Sequence, residues 1–303
     1  MWTFAQRRHV EFGRGVLVTR SSRSAPLLLV LFHSVMALSS EPGALEPAGA
    51  PLAENNIPIE LRGNFPILVA TVDGIDVPLK FDLGDASPLI LQQGVLDQIN
   101  AVPTGETSKF RGVNGVFESP LFKVARIQIG TMVFTDVVAR LDVPEPTYQP
   151  GASGEKGYLG TGLLIAYELV VDYANRMMTL IPRTGNKGSS GSCAGTAVPF
   201  SPDWNGQPVT AADTDLGRML LWWDTGSPVS AIRKAFVEKL RLPESEDTVV
   251  ARSFILGNAD FGPWQFDVWD MALPGFDGFI GYDFFARHVV CIDFTGNRLV
   301  IGR

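Results

Sequence analysis

Pro66–Ile90 reads PILVATVDGIDVPLKFDLGDASPLI, and Pro208–Ile232 reads PVTAADTDLGRMLLWWDTGSPVSAI. In each segment a Pro stands 16 residues before an Asp, Asp82 in the first and Asp224 in the second. Between Pro and Asp lie two strand-like runs joined by an Asp-containing turn, Val72-Asp73-Gly74 in one copy and Thr214-Asp215-Leu216-Gly217 in the other. Asp-Gly between two such runs is a strong hairpin signal. Self-similarity at a fixed interval means the same supersecondary unit has been built twice.

The matches continue downstream in the same order. Arg126-Ile127-Gln128-Ile129-Gly130 resembles Ser253-Phe254-Ile255-Leu256-Gly257, both alternating strands closed by Gly. Gly157-Tyr158-Leu159-Gly160 matches Gly278-Phe279-Ile280-Gly281, and Val170-Val171-Asp172-Tyr173 matches Cys291-Ile292-Asp293-Phe294. The chain therefore divides into a first lobe over 56–183 and a second over 196–303. The Gly- and Ser-rich stretch 184–195 joins them and has the composition of a flexible linker. Thirty-one Gly and 21 Pro in 303 residues favour many turns, hence an all-β fold. Helix is expected only at Gln92–Asn100 and Ala231–Leu240. Leu141–Lys156, rich in Pro and Gly, reads as a long surface loop.

The first 39 residues have a different character. Five Arg stand against one Glu, followed by the apolar run Leu27–Leu38 and the small-x-small tripeptide Ala37-Leu38-Ser39. That is the layout of a signal peptide, and a run of 12 residues is too short to span a bilayer as a helix. Residues 40–55, rich in Ala, Pro and Glu, read as a disordered leader. Without the export segment the net charge of −7 becomes −11. Such a surface repels nucleic acid and anionic membranes, so neither is expected as a partner, and no stable membrane insertion after cleavage. The expected location is periplasmic or secreted. Cys193 and Cys291 could pair in that setting, which the sequence leaves open.

Elimination narrows the chemistry. Of the three His, His9 and His33 lie in the export segment, and His288 stands at the entry to a strand, where a structural role is expected. Neither a His-based metal site nor a Ser–His–Asp site can be assembled convincingly from one such residue. Gly191-Ser192-Cys193-Ala194-Gly195 has nucleophile-elbow spacing but follows a linker rather than a buried strand. No phosphate-binding or dinucleotide fingerprint is present, so no cofactor and no metal are expected. Asp82 and Asp224 remain, each at the end of an apolar strand and the start of a Gly turn. Two such carboxyls facing each other can share one proton and hold one water.

Trp223-Asp224-Thr225-Gly226-Ser227 resembles the active-site signature of the pepsin- and retropepsin-like aspartic peptidases. Tyr158-Leu159-Gly160 and Phe279-Ile280-Gly281 resemble that family's hydrophobic-hydrophobic-Gly motif, with Gly160 and Gly281 beneath the aspartate loops. The resemblance spans nearly the whole chain after the export segment, once per lobe. It implies a bilobal fold of two acid-protease-like β-barrels with a central cleft, and an aspartic endopeptidase with Asp82 and Asp224 as catalytic pair. Gly84, Asp85, Thr225, Gly226 and Ser227 would support them. It also implies a flap over a peptide substrate, matched by the hairpin Phe110–Phe117 with Phe110, Gly112, Asn114, Gly115 and Phe117. Both lobes lie in one chain, so a monomer suffices.

The first lobe departs from the pattern. Leu83 stands where the family has Thr or Ser, so only Thr225 could supply the cross-loop hydroxyl. Asp85 stands where Ser or Ala is usual. A third carboxylate within about 6 Å of the pair would cost roughly 2–3 kcal/mol at an effective dielectric of about 20. Asp85 would then point into solvent, stay protonated, or push the pair upward in pKa. The flap carries Phe110 and Phe117 and lacks the family's usual Tyr. The alternative implied by these departures is a weak or inactive member that binds extended peptides in its cleft.

Overall fold

The computed structural model describes residues 54–112, 115–143, 151–183, 193–203, 205–240, 247–272 and 275–302. The expected signal peptide 1–39, leader residues 40–53, linker residues 184–192, loop residues 144–150 and Asn114 lie outside the described residues.

The chain is all-β and bilobal. The first lobe is an eight-stranded sheet running from Glu60–Arg62 through Phe65–Val72, Ile75–Phe81, Gly157–Leu159, Leu89–Leu91, Met132–Leu141 and Gly115–Ile129 to Val102–Gly112. Phe65–Val72 also pairs with Gly115–Ile129, which curls the sheet back on itself. The second lobe is a nine-stranded sheet built the same way around Pro208–Thr214 and Gly217–Trp223. Alternation explains why these runs are strands: in Phe65–Val72 the residues Leu68, Ala70 and Val72 are buried, while Val69 is 57% exposed.

A six-stranded sheet joins the lobes, three strands from each. At its centre Tyr167–Asp172 pairs antiparallel with Val290–Asp293, in register Val170↔Cys291 and Leu169↔Ile292. The two segments that match in sequence therefore meet as neighbours across the repeat. Strand Asn55–Pro58 forms one edge of this sheet, opening on the last residue read as leader.

The local geometry at the two aspartates repeats in detail. Phe81 lies beside Leu159 in a parallel pair, and Trp223 beside Ile280 in the equivalent one. Phe81 and Trp223 each fill a lobe core, 1% and 0% exposed. The second helix is shorter than the periodicity predicts. It covers Lys234–Lys239, because Ala231–Arg233 is a strand between Asp267–Trp269 and Gly278–Phe279. Sheet pairing of buried Ile232 on both sides outweighs its weak helical periodicity. The first helix is Gln93–Gln98.

Candidate active site

Each aspartate is set by its strand end. The Asp82 N–H donates to the Leu159 carbonyl at 2.9 Å, and the Asp224 N–H to the Ile280 carbonyl at 3.0 Å. Each carboxylate is then aimed by the glycine two residues on. Gly84 N–H donates to Asp82 Oδ1 at 2.9 Å, and Gly226 N–H to Asp224 Oδ1 at 2.7 Å. Glycine is required here for a steric reason. A Cβ on Gly84 would stand 2.9 Å from Asp224 Oδ1, and one on Gly226 would stand 2.6 Å from Asp82 Oδ2. Gly160 and Gly281 lie against the loops from below, where a Cβ would collide with the Ser87 and Val229 carbonyls respectively.

The two carboxyls thus meet: the point where a Cβ on Gly84 would stand lies 2.9 Å from Asp224 Oδ1 and 3.1 Å from Asp82 Oδ1. Each keeps a little accessible surface on the floor of the cleft, yet protein atoms enclose it on nearly every side. That enclosure pushes Asp82 well above the usual carboxylate range. The charge of Asp224 pushes the same way, Lys80 pulls back, Asp85 adds a little, and the Gly84 N–H again opposes. Burial also raises Asp224, but Lys80, the Gly226 N–H and the hydrogen bond from Asp82 restrain it. The pair therefore holds one proton far more readily than it loses both.

One hydroxyl ties the two loops together. Thr225, 0% exposed, accepts from Leu83 N–H and donates to the Phe81 carbonyl, both at 2.9 Å. Leu83 takes part through its backbone only; its side chain is in the core. Thr225→Val keeps the shape but leaves a buried N–H and a buried carbonyl without partners. It is expected to cost about 2–4 kcal/mol of unfolding free energy, measured in urea. A change under about 0.5 kcal/mol would mean that the hydroxyl does not tie the loops. Ser227 instead donates its hydroxyl to the Val229 carbonyl at 2.7 Å and so shapes its own loop.

Asp85 neither points into solvent nor stands alone. Arg140 Nη2 donates to its Oδ2 at 2.6 Å, and the Ser87 N–H to its Oδ1 at 2.7 Å. The expected crowding of three carboxylates is relieved by this buried cation, leaving only a minor upward push on the pair.

Phe110 and Gly112 line the cleft with Lys80, Ile90, Tyr158, Trp222 and Phe279, around a cavity of about 170 Å³. Gly115 pairs with Gly112 across the hairpin, and Phe117 stacks on Phe110 at 5.6 Å. His288 lies away from the cleft lining, packed against Phe284 and Phe261, and burial lowers its pKa. Cys193 is bonded to Cys291, which removes it as a nucleophile.

Sequence reasoning missed Lys80, Trp222 and Arg140. The first two were within reach. Each stands two residues before its aspartate, so strand alternation puts them on the same face. The Lys80 ammonium sits 4.4 Å from the ring centres of both Phe65 and Tyr158, whereas Trp222 stacks on Phe276 at 4.7 Å. The floor is thus cationic on one side of the pair and aromatic on the other.

No protein-family profile and no curated protein sequence matches the chain. In fold it is similar to the aspartic proteinase from Irpex lacteus, with a TM-score of 0.57 and 13% identity. The likeness covers 82% of this chain and 97% of that one. It supports an aspartic-protease fold.

Proposed function

We propose that the chain is an aspartic endopeptidase that hydrolyses peptide bonds of an extended polypeptide laid across the cleft. One observation carries the reading: two carboxyls from equivalent positions of a duplicated unit, facing each other across Gly84 and Gly226 on the floor of one cleft, beside a hairpin. Asp82 and Asp224 are the catalytic residues. With the shared proton on Asp82, Asp224 takes a proton from a water whose oxygen attacks the carbonyl carbon. Asp82 gives its proton to the carbonyl oxygen as it becomes a hydroxyl. The resulting gem-diol collapses when Asp224 returns its proton to the departing nitrogen and Asp82 recovers one from a hydroxyl. The C–N bond breaks, leaving a carboxylic acid and an amine. Gly84 and Gly226 hold the carboxylates through their N–H groups, and the flap residues Phe110, Gly112, Gly115 and Phe117 cover the substrate.

The disulfide and the Arg-rich, apolar N-terminal segment support export to an oxidising compartment. The partner is a peptide or unfolded protein, and a single chain supplies both carboxylates.

The test is digestion of an unfolded protein across about pH 3–7. The expected profile is bell-shaped, because the rate requires one proton on the pair. Its alkaline limb is displaced upward by the burial of the two carboxyls. Binding of extended peptides without cleavage at any pH would replace this reading by that of a peptide-binding module.

A further inference from the structure

We infer that Arg140 is a positioning residue that latches the flap hairpin to the first aspartate loop. Arg140 lies on strand Met132–Leu141, between Ile90 and Leu121 in register, and is 5% exposed. One edge of its guanidinium serves the loop: Nη2 donates to Asp85 Oδ2 at 2.6 Å and Nε to Ser87 Oγ at 3.2 Å. Its face serves the flap: Cζ lies 3.5 Å from the centre of the Phe110 ring, which in turn stacks on Phe117 across the hairpin. A planar guanidinium can do both at once, whereas an ammonium cannot.

Asp85, Phe110 and Arg140 also line a second cavity of about 240 Å³, bounded further by Pro88, Ser108 and Val138. The three side chains therefore form the partition between that cavity and the cleft. If the stack is lost, the base of the flap is no longer held at a fixed height above Asp82. This assigns a role to Asp85, the residue that departs from the family pattern, and it supplies a flap anchor where the usual Tyr is missing.

The kinetic consequence rests on the peptidase reading, but the latch does not, so the primary readout is amide hydrogen exchange. Arg140→Met leaves Asp85 buried without its partner and could simply unfold the lobe. Phe110→Leu and Arg140→Lys are the informative variants, because each removes the stack while keeping a cation beside Asp85. Each is expected to speed exchange in flap strands 102–112 and 115–123 about tenfold, with no change in the central strands 167–172 and 290–293. Tenfold corresponds to about 1.4 kcal/mol. The double variant should loosen the flap no further than either single one, since both break the same contact. Unchanged flap exchange, equal acceleration in the central sheet, or additive effects in the double variant would overturn the latch. With a cleavable peptide, KM should rise about tenfold in both single variants with a smaller change in kcat. Altered exchange in a protein that cleaves nothing would keep the latch and remove the peptidase reading.

Discussion

Asp224→Asn is expected to lower the cleavage rate at least about a thousandfold, the upper range for loss of a general base, without loss of the fold. Asparagine fills the same volume and its Oδ1 can still accept from the Gly226 N–H, so the loop keeps its shape. What disappears, on the proposed mechanism, is the group that takes the proton from water. The same substitution should not destabilise the protein near neutral pH. In the wild type both carboxyls are raised in the fold, Asp82 strongly. The folded state therefore binds more protons than the unfolded chain, and stability falls as pH climbs from the unfolded carboxylate value through the raised folded values. Below that window both states are protonated and the penalty vanishes. Asp224→Asn removes one of the two like charges, so its unfolding free energy should decline less with pH than that of the wild type. Urea unfolding at acid and neutral pH, beside the digestion assay, checks both halves. Cleavage retained in Asp224→Asn would exclude the two-carboxylate mechanism, and unfolding of the variant would show that the charge itself holds the loop.

The duplication was legible because each copy keeps the residues that geometry forces. Gly160 and Gly281 sit where a side chain would strike a carbonyl, and Gly84 and Gly226 where it would strike the opposite carboxylate. Phe81 and Trp223 are apolar because they fill lobe cores. Such constraints are local to a strand and a turn, and strand alternation carries them into the sequence. Leu83 was legible as a missing hydroxyl, but not that its backbone N–H would donate to Thr225 Oγ1, since that contact spans 142 residues. The partner of Asp85 lies 55 residues away on another strand, and nothing in the sequence around Arg140 marks it. Helix Lys234–Lys239 was overextended because the pattern of apolar residues cannot tell a strand buried on both sides from the first turn of a helix. Cysteine pairing was open for a similar reason: spacing says nothing about where two strand ends meet.

The second large effect concerns that pair. Cys193 and Cys291, with Cα atoms 6.4 Å apart, are joined across a sequence separation of 98, enclosing most of the second lobe. Closing a loop of this length removes about 4.7 kcal/mol of denatured-state entropy in the chain-entropy description. The position adds a local consequence. Cys291 is buried in the central sheet, beside Val170 of the first lobe and Val300 of the second. Cys193 precedes Thr196–Pro199, which among the described residues is an edge strand of that sheet paired only with Arg298–Ile301. The bond thus pins an edge strand to the strand through which the lobes meet. Cys193→Ala with Cys291→Ala is expected to lower unfolding free energy by about 3–5 kcal/mol, and to speed exchange first at Ala197 and Val198. Reductant should bring the wild type down to the level of the double variant and leave the variant itself unmoved. Equal urea midpoints for wild type and variant, with and without reductant, would show that the sheet holds its edge strand without the bond.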